Sequence, residues 1–165
     1  GQHLLDVQVV GETLVHREQR GRHQADRQRR ILRLLEQFGH ALAAVELLWH
    51  KVVCRAPAGR ATFGRPAYAH LLCFSRELRL EPRDSFADVL PRLGEMPWPR
   101  AMGVDVCAAV CRFLKQSTTA TTVVDPFCGM GTMLAVANAH GLDAIGVERS
   151  AKRADRARAL LVERD

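Results

Sequence analysis

The chain has 165 residues, of which 47% are hydrophobic and 25% are charged, and its formal net charge is +6. This length is enough for one domain with a buried core, and no apolar run reaches the ~18 residues that a membrane-spanning helix needs. Because the N-terminus lacks a signal-peptide pattern and the five cysteines include no Cys-x-x-Cys pair, we expect a cytoplasmic protein without disulfides and without a metal site.

The first half of the chain alternates predicted strands with one predicted helix. A strand is predicted over residues 4–10, and residues 13–16 either extend it or begin the next element. Residues 24–38 have the apolar spacing of an amphipathic helix. Two apolar, β-branched segments at 45–54 and 68–78 then predict an antiparallel pair of strands, because a loop containing Gly and Pro connects them.

The second half begins with an irregular segment and continues with alternating helices and strands. Residues 81–99 contain four of the seven prolines, and we expect one short helix there, at 84–90. A helix is predicted over 103–114, followed by two short strands with a helix between them. The chain ends in a basic helix over 151–162.

The most informative stretch is residues 123–132, Val-Val-Asp-Pro-Phe-Cys-Gly-Met-Gly-Thr, which joins a strand to a helix through a glycine-containing turn. Glycines permit the backbone angles of such a turn and let a ligand approach the main chain closely. Sixteen residues after Thr132, Glu148 ends the next predicted strand, where a carboxylate binds ribose hydroxyls in nucleoside-binding α/β folds. The pattern predicts a nucleoside-cofactor site, and Leu134 at the third glycine position sets it apart from the dinucleotide fingerprint.

The segment Asp-Pro-Phe-Cys-Gly-x-Gly-Thr resembles the S-adenosylmethionine (SAM) loop of class I methyltransferases, above all the amino-methyltransferases of DNA and their RNA-modifying relatives. The resemblance implies that the loop binds SAM, that Glu148 binds its ribose, and that Trp98, Arg100 or Met102 reaches the same site. The alternative is a glycine-containing turn of another α/β protein. The implied loop residues are Asp125, Pro126, Phe127, Cys128, Gly129, Gly131 and Thr132.

The order of the elements predicts an α/β fold, a three-layer sandwich with a mostly parallel Rossmann-like sheet and an antiparallel hairpin. In class I methyltransferases the SAM loop lies near the N-terminus, whereas here it begins at residue 123 of 165. That order resembles the circularly permuted amino-methyltransferases, so we expect a single domain with a substrate-side half at 1–96 and a SAM-binding half at 97–165. An ordinary methyltransferase that ends after its second strand, with an unrelated N-terminal part, is the alternative.

The sequence lacks the motif that binds the methyl acceptor in DNA amino-methyltransferases. DNA amino-methyltransferases carry Asp/Asn/Ser-Pro-Pro followed by an aromatic residue, which binds the target amine and stacks on the flipped base. The 165 residues contain no Pro-Pro pair. Candidate bases for a methyl transfer are Asp6, Glu12, His16 and His50, although a structural role explains each of them more readily.

The leading hypothesis is a SAM-dependent methyltransferase acting on nucleic acid, RNA or DNA. Residues Arg17–Arg33 contain seven arginines against two acidic residues, and such a cluster binds phosphates or forms a solvated helix face. The alternatives are a protein or small-molecule acceptor, a SAM-binding or scaffold subunit without turnover, and a nucleic-acid-binding protein that has lost SAM binding. The chain is small for the complete fold, and a missing edge strand would favour a homodimer or a partner subunit.

Overall fold

The fold is described by a computed structural model, which covers residues 7–11, 46–64, 66–99 and 101–163. Within these residues, no helix is long and apolar enough to span a membrane. The elements, in chain order, are strand β1 (Val7–Gly11), β2 (Glu46–Cys54), β3 (Tyr68–Ser75), a 3₁₀ helix (Pro82–Asp84), β4 (Val89–Leu90), helix α1 (Val104–Ser117), β5 (Thr122–Asp125), helix α2 (Thr132–Ala139), β6 (Asp143–Gly146) and helix α3 (Ala151–Ala159).

The described strands form two separate sheets. The first has the strand order β1-β3-β2-β4, in which β3 is antiparallel to β1 and β2, and β4 is parallel to β2. In the second, β5 and β6 are parallel, with Val124 opposite Ile145. We expected one mostly parallel sheet with an antiparallel hairpin. The described strands instead form two sheets, and β3 runs antiparallel to β1 as well as to β2, its partner in the predicted hairpin.

Strands β2 and β3 confirm the predicted antiparallel pair. Cys54 lies opposite Tyr68 beside the connecting loop, and the pairing extends to Glu46 opposite Ser75. The side chains on one face of this pair are buried, as the alternation of a half-buried strand requires. They are Trp49, Lys51, Val53, Leu71, Cys73 and Ser75.

Helix α1 packs against residues of both sheets in one hydrophobic core. Seven of its side chains are buried, including Cys107 and Cys111, which the sequence predicts to be small buried residues. Trp49 of β2 makes edge-to-face contacts with Phe86 and with Phe113 of α1, the ring centroids being 5.2 Å apart in both cases. The same core includes residues of α2, so the two predicted halves of the domain share it.

The segment between β3 and α1 differs from the prediction. Instead of a helix at 84–90, a 3₁₀ helix ends at Asp84 and residues 89–90 form β4. Asp84 accepts the main-chain N–H of Glu81 at 2.8 Å and the hydroxyl of Ser117 at 2.7 Å. The Asp84 side chain therefore closes the 3₁₀ turn that precedes it, and it is not used to begin the predicted α-helix at 84–90.

Lys51 ties the next residues of this segment to β2. Its side chain is buried, and Nζ donates to Asp88 Oδ1 at 2.7 Å and to the carbonyl oxygen of Phe86 at 2.8 Å. The ammonium also lies 4.6 Å from the centre of the Phe86 ring. Because a buried ammonium must be paired, these contacts hold residues 86–88 beside β2, where β4 then pairs with it.

Several sequence predictions fall outside the described residues. The strand predicted at 4–10 is described from Val7, and it extends to Gly11. The segment 13–16, the amphipathic pattern at 24–38 and the arginine cluster at 17–33 are not among the described residues. The three-layer arrangement and the circular permutation therefore stay predictions.

Candidate cofactor site

The turn between β5 and α2 is bonded to the chain that follows β6. The N–H of Val147 donates to the carbonyl oxygen of Asp125 at 2.9 Å, and the N–H of Cys128 donates to the carbonyl oxygen of Val147 at 3.1 Å. A bond of 2.8 Å from the N–H of Gly131 to the carbonyl oxygen of Cys128 closes the turn. The carboxyl ends of two parallel strands thus meet at one loop, which is where α/β folds bind their ligands.

Gly131 satisfies two demands at once. It precedes α2 with a φ of +84°, in the left-handed region that favours glycine. A Cβ at this position would lie 2.7 Å from the Cβ of Ala157, so a side chain would also push α3 away. Gly129 differs, because no described atom lies within 4 Å of the place its Cβ would take, and its main chain is open to a ligand.

Asp125 is the last residue of β5, whereas Glu148 lies two residues after the end of β6 and not at the end of the strand as predicted. Each carboxylate has one oxygen bonded to a main-chain N–H. Asp125 Oδ1 accepts the N–H of Phe127 at 2.9 Å, and Glu148 Oε1 accepts the N–H of Ser150 at 2.8 Å. In the described part of the chain, the second oxygen of each carboxylate has neither a hydrogen bond nor an ion pair. One oxygen therefore fixes the side chain, and the other is available to a donor on a ligand.

Thr132 carries a buried hydroxyl at the first position of α2. The residue is 3% exposed, and its Oγ1 has no hydrogen-bond partner among the described residues. Buried hydroxyls are ordinarily bonded, and a polar group of a bound ligand would supply the partner. Phe127, which lies in the loop between β5 and α2, is 89% exposed and presents an aromatic ring at the surface.

Cys128 lies half-buried near both carboxylates. Burial is the main cause of its raised thiol pKa, and the negative charges of Asp125 and Glu148 raise the pKa further. The thiol is therefore protonated near neutral pH and is a weak nucleophile. Among the residues that the structure describes, no three His, Cys, Asp or Glu side chains are grouped to hold a metal ion.

No protein-family model and no curated protein matches the chain, whereas solved structures do. M1.HpyAVI, crystallised in complex with SAM, has a TM-score of 0.57 at 15% identity over 79% of this chain and 68% of its own. TTHA0409 from Thermus thermophilus, designated a DNA modification methylase, has a TM-score of 0.55 at 19% identity. The chain has a methyltransferase-like fold. The match to TTHA0409 covers 78% of this chain and spans 58% of that methylase.

Three residues outside the loop, Trp98, Arg100 and Met102, are predicted to reach the cofactor site. The structure describes two of them. Met102 packs against the core just before α1, and Trp98 is half-buried in the preceding turn. Arg100 lies outside the described residues. Contact between these side chains and a cofactor stays a prediction.

Of the candidate bases, His50 is described, whereas Asp6, Glu12 and His16 lie outside the described residues. His50 is exposed, and its Nε2 lies 2.7 Å from Nδ1 of His70 on the neighbouring strand. It precedes the carboxyl end of β2 by four residues, so it stands on a face of the sheet. Its role as a base stays a prediction.

The site also depends on residues that the sequence analysis did not single out. Val147 and Ser150 contribute main-chain groups, which leave no signature in the sequence. Gly146 does leave one, because glycine in a strand often marks a close approach of neighbouring groups. A Cβ at Gly146 would meet the side chain of Leu134 and would lie 2.7 Å from Cys128 Sγ.

Proposed function

We propose that the chain binds SAM at the loop between β5 and α2 and transfers the methyl group of SAM to DNA. The observation that carries this proposal is the pair of carboxylates, Asp125 and Glu148, each with one oxygen fixed by a main-chain N–H and one available to a ligand. The structural neighbours support it, because M1.HpyAVI and TTHA0409 were both crystallised with SAM and TTHA0409 is designated a DNA modification methylase.

The available groups of the loop suit the groups of SAM. The ribose of SAM carries two hydroxyls, and a hydroxyl donates well to a carboxylate oxygen such as the available one of Glu148. Asp125 adds a second negative charge, which favours a sulfonium cation and disfavours a phosphate. The buried hydroxyl of Thr132 offers one further polar contact.

Methyl transfer requires mainly that the reacting groups be held in line. SAM supplies an activated methyl group, so the chain contributes position and, where the acceptor holds a proton, a base. The main-chain bonds among Asp125, Cys128 and Val147 hold the loop in place. The raised pKa of the Cys128 thiol further disfavours the thiolate, which is the form of this sulfur that would react with a methyl donor.

A second function, SAM binding without methyl transfer, is favoured by one observation. The 165 residues contain no Pro-Pro-aromatic sequence, the element that binds the acceptor amine in the amino-methyltransferases that the loop resembles. A scaffold or regulatory subunit would retain the loop between β5 and α2, residues 126–131, without that element. We refer to these residues as the cofactor loop. A protein or a small molecule as acceptor would also be compatible with its absence.

Calorimetric titration with SAM and with S-adenosylhomocysteine tests the cofactor site. Glu148→Gln and Asp125→Asn each remove a charge with little change of shape. Because a hydrogen bond to a charged group is worth about 1.5–3 kcal/mol, we expect each variant to raise Kd roughly tenfold or more. Asp143→Asn is the matched control, since it removes a carboxylate from the opposite end of β6. An absence of binding by the wild type, or an equal loss in the control, would refute the site.

Transfer of label from SAM to an acceptor tests the reaction. The wild type is incubated with methyl-labelled SAM and, separately, with random-sequence duplex DNA, RNA and a protein mixture. Label in DNA that is reduced in Glu148→Gln, at a SAM concentration that does not saturate the variant, supports the proposed reaction. Tight SAM binding with no label in any acceptor identifies the second function instead.

A further inference from the structure

Helix α3 presents three basic side chains along one stripe of its surface. Lys152, Arg153 and Arg156 stand at positions i, i+1 and i+4, which span about 100° of a helix. All three side chains are exposed, and no residue of α3 is buried. The helix therefore presents a continuous positive stripe to the surroundings.

The described residues do not neutralise this stripe. The acidic residue within α3, Asp155, is paired with Arg158 at 2.7 Å. No ion pair of the described chain includes Lys152, Arg153 or Arg156. Neighbouring cations repel one another, so an anionic partner would stabilise all three together.

The stripe borders the cofactor loop. Ala157 of α3 lies against Gly131, since a Cβ on that glycine would be 2.7 Å from the Cβ of Ala157. Arg156 Nη1 is 3.6 Å from Sδ of Met130, a residue of the same loop. The main chain enters α3 directly after Glu148 and Ser150, whose hydrogen bond belongs to the candidate site.

We propose that Lys152, Arg153 and Arg156 bind the phosphate backbone of DNA and so place the duplex beside the cofactor loop. This inference rests on the proposed function, in which DNA is the methyl acceptor. The rise from Lys152 to Arg156 is about 6 Å, so their long side chains reach neighbouring phosphates. Contacts of this kind set the position of the duplex without reading its sequence, which would be read elsewhere.

The test compares two variants that lose the same number of positive charges. The first is Lys152→Gln with Arg153→Gln and Arg156→Gln. The control is Arg76→Gln with Arg79→Gln and Arg83→Gln, which removes three exposed arginines from the segment after β3. Because both variants lower the net charge by three, a difference between them reflects the place of the charges. The single variant Arg153→Gln removes one of the three positive charges of the first variant. Circular dichroism checks that each variant is folded.

The measurement is the salt dependence of affinity for a random-sequence DNA duplex, followed by fluorescence anisotropy. Each lost phosphate contact lowers the magnitude of the slope of log K against log salt by about 0.9. We expect a decrease of about 2–3 for the α3 variant, about 0.9 for Arg153→Gln and less than about 1 for the control. Equal decreases in the α3 variant and the control, an unchanged slope in the α3 variant, or no DNA binding by the wild type would overturn the inference.

A failure of this inference can be told from a failure of the proposed function. The Arg153→Gln variant retains Asp125, Glu148 and the contact of Arg156 with Met130, so we expect its Kd for SAM to equal that of the wild type. Normal SAM binding together with an unchanged salt slope would refute the phosphate contacts of the stripe and leave the proposed SAM site standing. If the wild type binds no SAM but the α3 variant has a reduced salt slope, the phosphate contacts are supported and the proposed methyltransferase activity is refuted.

Discussion

Gly131 shows how one residue can be fixed by both its backbone and its neighbours. Gly59 has nearly the same φ, +83° against +84°, but no described atom lies within 4 Å of the place its Cβ would take. A comparison of alanine variants at the two positions therefore separates backbone strain from steric overlap with Ala157. The comparison isolates the packing of α3 on the cofactor loop.

We expect Gly59→Ala to lower the free energy of unfolding by about 1–2 kcal/mol, the usual cost of a left-handed residue with a side chain. Gly131→Ala should cost about 1–3 kcal/mol more, because the new methyl group must displace Ala157. Urea denaturation measures both variants. Equal losses would show that α3 moves aside without cost, and that the contact with Gly131 does not stabilise the loop.

The sequence identifies the side chains of this site better than it identifies their surroundings. Asp125 and Glu148 are found from the loop pattern and from their separation along the chain. The N–H groups of Phe127 and Ser150, which fix one oxygen of each carboxylate, depend on main-chain angles that no residue type specifies. A sequence can thus name a candidate ligand-binding side chain without showing which of its atoms is available.

Strands β5 and β6 have one face that packs against the core and one face that is exposed. Val123 packs against the hydrophobic core, whereas Val124 is 62% exposed and lies opposite Ile145, which is 56% exposed. Threonine has nearly the shape of valine, so the same substitution at adjacent positions measures how well each face is covered.

We expect Val123→Thr to lower the free energy of unfolding by about 1–3 kcal/mol, because it places an unbonded hydroxyl against the core. Val124→Thr should change it by no more than about 0.5 kcal/mol. Urea denaturation at two protein concentrations provides the measurement. A cost at position 124 that grows with protein concentration would show that a second copy of the chain covers this face.

The 3₁₀ helix makes the stability of the chain depend on acid through Asp84. The N–H of Glu81 and the hydroxyl of Ser117 both donate to its carboxylate, and they lower the pKa of Asp84 below its usual value of 3.8. The unfolded chain therefore binds a proton at a higher pH than the folded chain does. The stabilisation is present above about pH 4 and is lost as the pH falls through the folded-state pKa.

We expect Asp84→Asn to be less stable than the wild type at pH 7, and the difference between them to shrink below about pH 4. Thermal unfolding from pH 3 to pH 7 provides the measurement. Glu77→Gln, an exposed substitution in the same segment, is the control and should follow the wild type. A constant difference across this range would mean that the amide loses only packing and that the carboxylate charge has no part.

The elements were predictable where local pattern decides, and not where tertiary contacts decide. Helices α1 and α3 match the predictions at 103–114 and 151–162 to within a few residues. Both segments consist of helix-compatible residues with no proline or glycine inside the helix. The prediction at 84–90 was wrong, since Asp84 bonds to Ser117, which lies 33 residues away in the sequence. The division of the strands into two sheets likewise depends on contacts between residues that are far apart in the sequence.

Helix α1 links the cofactor loop to the first sheet through one shared hydrophobic core. Its Phe113 contacts Trp49 of β2, and the same core contains Val136 of α2 and Leu142, which precedes β6. A domain with one continuous core of this size usually unfolds in a single cooperative transition. A ligand bound at the loop should then stabilise residues that it does not touch.

We therefore expect SAM to raise the unfolding temperature reported by Trp49. In a Trp98→Phe variant, Trp49 is the remaining one of the two tryptophans, so its fluorescence reports the first sheet alone. With SAM at 100 times the Kd of that variant, the stability should rise by about 2.7 kcal/mol, or about 5–10 °C for a chain of this size. Adding Glu148→Gln should reduce the shift at the same SAM concentration, and adding Asp143→Asn should leave it unchanged. If SAM binds by calorimetry but the Trp49 transition does not move, the two halves unfold independently, and the core that they share does not couple them.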